Sequence, residues 1–487
     1  MTDLVSGFPK NLAYSLKQLS NFTKQTVKIM PDRTNPNFGE VSRFKLPASA
    51  LIDFRTISIY ADVTTTGGGS STTAYVCHLP RNTSSLIQQI TITCNGVQLC
   101  NINDYNLLYN TLVDIEGADL SQTSKRLLEV SDPSVHYTQG TVAAGGAGIN
   151  TCTAQDSTST NTGAANNVIT SQPIVINNFL GILGSLSTPV LDLNDTGDIY
   201  VEIRWSPSAV LWGTANSGSV VYTTGAATAA FANLRMTAAK INFESSEYYE
   251  LKAEKLMDEG LLISYYDYWT SRGTAVTKSS GVSMNFNINT NSLDQCIATF
   301  QKSDYATMKA LVLHGSGTTA ATQSFNYQLV NQTGATGTTL VDGSATYGDL
   351  FNNSYYFLRP GVDILTSQWS INSVNIDPYP LPPSEIWNQN LIALGNANID
   401  FGTSGAHPGM LSLWHFLKYY FVHVLSLSNL SGDGQAWRSG LSGNGSTINI
   451  GYQATFNNTN TETISPVIFC RSTKILTISS GHLISVY

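Results

Sequence analysis

Along residues 56–63 polar and apolar side chains alternate strictly. Ile57, Ile59, Ala61 and Val63 fall on one side, and Thr56, Ser58, Tyr60 and Asp62 on the other. A period of two predicts a half-buried β-strand. Ile90, Ile92 and Cys94 repeat the pattern, followed by Asn95-Gly96 and then Val97 and Leu99. Asn-Gly between alternating runs predicts a tight hairpin, because both turn residues must accept positive φ. The period then changes. Tyr105, Leu108, Tyr109 and Leu112 line one helical face, with Asn103 or Asp104 placed to cap it. A further short helix is expected over 119–130.

The alternation returns at Ile199, Val201 and Ile203. Around residue 243 the texture shifts to FESSEYYELKAEKLMDEG, a charged helical segment that ends at Gly260. Strand-like runs resume in LLISYYDYW, GVSMNFNIN, MKALVLHG and FNYQLV. Between them Ser292-Leu-Asp-Gln295 reads as a capping box, and Leu293, Cys296, Ile297 and Phe300 as the apolar stripe of the helix it opens. The run Met410 to Leu430 carries His415, Lys418 and His423. Those charges are costly in lipid, so a short helix entering a buried strand over about 419–427 is expected rather than a membrane span. STINIGYQATF, SPVIFC and KILTISSGHLISVY close the chain as strands.

The expected fold is therefore all-β: two tandem halves, each able to make an eight-stranded sandwich, with short helices and long loops. The expected divisions are an N-terminal arm over 1–26, a first sandwich over 27–243, a link over 244–259 and a second sandwich over 260–487. Composition agrees. Only 12% of the residues are charged, too few to coat many exposed helix faces. Residues 138–170 are almost devoid of apolar side chains and read as an exposed loop.

Net charge is −8, which disfavours a dedicated nucleic-acid binder. Residues 1–33 hold five basic and two acidic side chains, a balance of +3, leaving −11 for the rest. The N-terminus has acid before base and no long apolar run, so no secretory signal is expected. None of the six cysteines forms a CxxC pair. Cys94 and Cys100 flank the hairpin turn, yet free, buried thiols are the expectation. Of eight N-x-S/T sequons, most are expected by chance in a chain this rich in Asn, Ser and Thr.

Catalytic signatures are missing. There is no GxSxG, P-loop, HExxH or dinucleotide turn. His423 shares the strand parity of Phe421, Leu425 and Leu427 and reads as a satisfied core histidine. Asp114, Glu116, Asp119 and Glu202 are carboxylates with ordinary surface or capping roles. Trp437 to Tyr452 reads as a buried tryptophan and a glycine-rich turn feeding a strand, rather than a ligand loop. No catalytic, cofactor-binding or metal-ligating residue is assigned.

Four features in order resemble the double-jelly-roll major capsid proteins of polinton-like viruses and virophages. They are the leader with its proline-preceded strand (Leu51, Ile52, Asp53, Arg55), SSLIQQITITCNGVQLCNINDYNLLYNTL, TNSLDQCIATFQKSDY and WRSGLSGNGSTINIGY. The resemblance implies two upright sandwiches side by side, and a homotrimer forming a pseudo-hexagonal capsomer that tiles an icosahedral shell around the genome. It implies a place in the virion, with neighbouring capsomers as partners and penton and minor capsid proteins as others; the arm over 1–26 is expected to face the capsid interior. Sequence-specific nucleic-acid binding and enzyme activity are not expected. The alternative is a β-sandwich fibre or adhesin that binds glycans or a host receptor.

Overall fold

The structure is a computed structural model. It describes residues 22–48, 50–67, 75–80, 82–116, 168–215, 221–224, 227–243, 247–258, 260–312, 354–393, 413, 416–417, 420–428, 440–443, 445–479 and 483–486. The first half contributes β1 (Phe22–Ile29), β2 (Val41–Lys45), β3 (Leu51–Thr66), β4 (Tyr75–His78), β5 (Ile87–Cys94) and β6 (Val97–Ile102). Helix α1 (Tyr105–Glu116) follows, then β7 (Val168–Ile176), α2 (Ile182–Ser185), β8 (Val190–Asp192), α3 (Leu193–Thr196), β9 (Ile199–Trp205), β10 (Trp212–Ala215), β11 (Val221–Thr224) and β12 (Thr228–Phe243). Helix α4 (Glu247–Asp258) occupies the charged segment that the sequence marks as a link.

The second half contributes β13 (Leu261–Arg272), β14 (Val276–Thr277), β15 (Val282–Ile288), β16 (Leu293–Lys302), β17 (Lys309–Val312), β18 (Ile364–Ile371) and β19 (Val374–Asn375). Helix α5 (Pro383–Ala393), β20 (Val422–Ser426), β21 (Ile448–Phe456), β22 (Thr463–Ser479) and β23 (Leu483–Val486) complete it. No described helix is long and apolar enough to cross a membrane.

In the first half one sheet runs β1-β12-β3-β7, with β8 also on β3, and the other runs β2-β9-β5-β6. In the second, β13-β22-β16-β20 (with β14 and β23 on β22) faces β15-β21-β18-β19. Each half is thus an eight-stranded frame with additions, the eight-residue β1 in the first and the short β14 and β23 in the second. A small fifth sheet, β11-β17-β10-β4, takes β17 from the second half, so it stitches the halves together. Its β10–β17 pair is parallel, while β11 meets β17 antiparallel.

The alternation read at residues 56–63 is the centre of β3. Ile57, Ile59, Ala61 and Val63 are all buried, while Tyr60 and Asp62 are not. The strand begins earlier, at Leu51, because Leu51, Ile52 and Phe54 are buried too. Asn95 and Gly96 both have positive φ, as the hairpin between β5 and β6 requires. In the first half Trp205 of β9 packs on Phe231 of β12, joining the two sheets at 4.3 Å between rings. In the second, Phe300 of β16 does the same against Phe456 of β21 at 5.4 Å.

Two expectations are overturned. The Ser292 capping box opens no helix: Leu293–Lys302 is strand β16, between β22 and β20. Every residue of it but Lys302 is buried. A strand covered on both faces loses its alternation, and its apolar run then imitates a helical stripe. The Ser292 hydroxyl serves instead as a link, donating to Asp294 and accepting from the Gly440 N–H. Second, residues 22–26 lie in β1, not in an arm. β1 pairs with β12 along all eight residues, yet Thr23 to Thr26 are exposed, so no apolar period marks them.

The strand expected near 419–427 is β20. SPVIFC and the start of KILTISS merge into the single 17-residue β22. The helix expected over 119–130, the strand FNYQLV and residues 138–167 of the expected loop lie outside the described residues; residues 168–170 already belong to β7.

Candidate functional site at the seam between the sandwiches

The candidate chemistry read from the sequence does not converge. Glu202 is exposed on β9, opposite Arg43 of β2. Asp114 is buried on α1, far from solvent. Asp119 and the side chain of Glu116 lie outside the described residues. Among the described residues no group of His, Cys, Asp and Glu is arranged to hold a metal ion. Surface residues Asp32, Arg33, Thr34, Asn35, Asn37 and Glu40 line an open depression, bridged by an Arg33–Glu40 ion pair at 2.7 Å. It has no apolar wall of the kind that encloses a small ligand.

His423 is the satisfied core histidine the sequence suggests. Its Nδ1 meets Ser367 Oγ at 2.7 Å and its Nε2 meets Gln389 Oε1 at 2.8 Å. Burial beside Trp369 and Tyr452 pushes its pKa down to about 3. Cys94 and Cys100 are free and buried. The register separates them: Cys94 opposes Val97, and Cys100 opposes Ile92.

What the fold does bring together is a polar seam between the halves. β13 is the edge strand of its sheet, and the turn after α2 covers that edge. Ser187 N–H donates to Ser264 O at 2.8 Å, and the Ser187 and Ser185 hydroxyls accept from the Ser264 and Tyr266 N–H groups. An exposed strand edge is a template for unwanted pairing, so this cover removes one. Farther along, Tyr265 Oη donates to Leu99 O at 2.7 Å and Thr270 Oγ1 to Asn103 O at 2.8 Å. These two hydroxyls tie β13 to β6 and to the turn that opens α1.

Three basic side chains form four ion pairs at the seam and its link. Arg272 binds Asp104 at 3.1 Å and stacks over Tyr305. Lys252 of α4 binds Asp192 at 2.5 Å and Asp195 at 3.0 Å, with its side chain 7% exposed. Burial opposes the Lys252 charge, but the hydrogen bonds and charges of both aspartates outweigh it and hold its pKa above the ordinary lysine value. Arg359 binds Asp114 at 2.6 Å and Asn110 at 3.1 Å, and neither Arg359 nor Asp114 has any exposed side-chain surface. Apolar packing continues through the seam, since one core cluster includes Leu99, Ile102 and Tyr105 together with Tyr265, Tyr356 and Phe357.

Sequence reading missed this seam. Arg359 sits in SYYFLRPG, and an arginine ending an aromatic run was its one outward sign. Asp192 and Lys252 are sixty residues apart and carry no pattern that pairs them. The late WRSGLSGNGSTINIGY stretch is structural where it is described: Leu441 bridges Leu293, and Gly440 rests on the start of β16. Trp437 and Arg438 lie outside the described residues.

No family model matches the chain. No curated protein matches it either. Solved structures do. A quasi-atomic model of the PBCV-1 virus capsid aligns with a TM-score of 0.55 at 11% identity, over 97% of this chain and 98% of that one. A chain of the Sputnik virophage structure aligns at 0.53 and 14%, over 97% and 89%. The Faustovirus major capsid protein aligns at 0.52 and 10%, over 95% and 92%. At such identities the likeness concerns the fold, and it spans nearly the whole chain: this chain has the double-jelly-roll fold of those viral capsid proteins.

Proposed function

We propose that this chain is a viral major capsid protein. Three copies associate as a capsomer of pseudo-hexagonal outline, and capsomers tile an icosahedral shell around the genome. The observation that carries the reading is the buried seam. Two similar sandwiches fixed side by side give one chain two equivalent walls, so a three-fold ring presents six. Closed symmetric assembly needs self-complementary surfaces rather than catalytic groups. The two sandwiches serve as the domains, with α4 as their link.

The chain resides in the virion, and its partners are further copies of itself, then penton and minor capsid proteins. Residues 1–21, ahead of β1, act as the arm toward the capsid interior. No enzymatic role is proposed. Light scattering and electron microscopy of the purified protein test this reading. The expected result is a particle of three 52.5 kDa chains with a hexagonal outline, able to form sheets or shells. A monodisperse monomer that binds glycans on an array overturns it in favour of an adhesin.

A further inference from the structure

Strands β16 and β22 place two cysteines directly opposite each other. Cys296 pairs with Cys470 in the antiparallel register, and their sulfur atoms lie 3.5 Å apart. Both residues are fully buried, in the inner part of the second sandwich. Directly opposed residues of an antiparallel pair have Cα atoms about 4.5–5.5 Å apart, inside the span a disulfide bridges. Other thiols have other surroundings: Cys94, for example, turns its sulfur to the Thr196 carbonyl.

We propose that Cys296 and Cys470 are a disulfide-forming pair, oxidised by a small-molecule disulfide such as oxidised glutathione. The bond would join β16 to β22 at the centre of the six-stranded sheet. One protein thiolate attacks a sulfur of the oxidant, forming a mixed disulfide and expelling one glutathione thiolate. The second protein thiolate then attacks the mixed disulfide at the protein sulfur and expels the other. Two protein thiols are thereby oxidised, one small disulfide is reduced to two thiols, and the two protein protons end on those products.

The sheet itself sets the conditions. With β16 held between β22 and β20, the oxidant reaches neither sulfur until the sheet opens locally. Burial also pushes the Cys470 thiol well above its ordinary pKa, so little thiolate exists while the sheet stays closed. The reaction is therefore slow, and the finished bond is shielded from reductants. A shell assembled in a reducing cell and then released would acquire the bond gradually.

Differential alkylation tests this. The full chain is incubated with oxidised glutathione, in buffer and in urea below its unfolding transition, then acid-quenched, denatured, alkylated and digested without reduction. The expected result is a peptide pair joined through Cys296 and Cys470, short of two hydrogens. It forms faster in urea, while Cys77, Cys94 and Cys100 are alkylated. Recovery of Cys296 and Cys470 both alkylated, both carrying glutathione, or scrambled among the other cysteines overturns the proposal. A Cys470→Ser chain should lose the cross-linked species and gain at most one glutathione at Cys296. The readout does not involve assembly, so free thiols in a well-formed trimer reject this inference and leave the capsid reading standing.

Discussion

Arg359 and Asp114 meet at 2.6 Å across the seam, both side chains fully buried and drawn from opposite halves of the chain. Asn110 supplies a second acceptor to the same guanidinium, and Tyr420 lies beneath it. Two charges removed from water cost a good deal; the pair is sustained because each charge meets an opposite one, with Asn110 adding a hydrogen bond. What it adds is geometry, since a bidentate-capable arginine with fixed partners admits few relative placements of α1 and the 355–359 segment.

Removing one partner should therefore be worse than removing both. Asp114→Ala leaves Arg359 charged and uncompensated, with an expected loss of about 3–5 kcal/mol. The double replacement Asp114→Leu with Arg359→Met should recover most of that loss. Urea midpoints of the three proteins check this. Equal losses in the single and double variants would show that packing, not charge pairing, dominates the site.

His423 makes stability depend on acid. Its folded pKa, about 3, lies below its ordinary value of 6.5, because burial disfavours the charged ring. The unfolded chain thus binds a proton that the folded chain refuses. The stabilisation is full above pH 6.5 and is lost as pH falls from there toward 3, by about 1.4 kcal/mol per pH unit at most. His423→Gln should flatten this part of the stability–pH curve. Thermal midpoints of the two proteins between pH 7 and 4 measure the difference, and parallel curves would refute it.

Gly440 is predicted to resist any side chain. A Cβ there would collide with the Leu293 carbonyl and the Asp294 carboxylate at the start of β16. Gly440→Ala should cost about 1–3 kcal/mol, the usual range for forcing extra volume into a packed site. Calorimetry would register a lowered Tm; an unchanged one would mean the 440–443 turn can withdraw without loss.

Truncations should separate arm from fold. Deleting residues 1–21 stops short of β1 and should leave Tm unchanged, while impairing shell formation if the arm acts in assembly. Deleting residues 1–26 removes five of the eight β1 residues, together with the Lys24–Asp53 ion pair, and uncovers the edge of β12. That variant should unfold earlier and aggregate through the freed edge. Identical melting of the two deletions would contradict the role given to β1.

Half-buried elements were legible from the chain alone. The β3 alternation and the Asn95-Gly96 hairpin each have one wet face and one dry face, so their period survives in the letters. Helix α1 is buried nearly all round, and only the spacing of Tyr105, Leu108, Tyr109 and Leu112 marked it. Strands without that contrast were not legible. β16 is dry on both faces and imitated a helix, while β1 is wet on nearly every residue and imitated a leader. The satisfied role of His423 followed from its parity among Phe421, Leu425 and Leu427, but its partners Ser367 and Gln389 did not.

The sequence by itself determined the all-β class, the doubled layout and the helix over the charged segment near 247–258, because these rest on local periods and on composition. Only the tertiary structure decided how the halves are joined. Arg272 finds Asp104 at a separation of 168, Arg359 finds Asp114 at a separation of 245, and β17 leaves its own half to pair with β10 and β11. Long-range pairs leave no local signature: each is chosen by which faces remain unsatisfied once both sandwiches have closed.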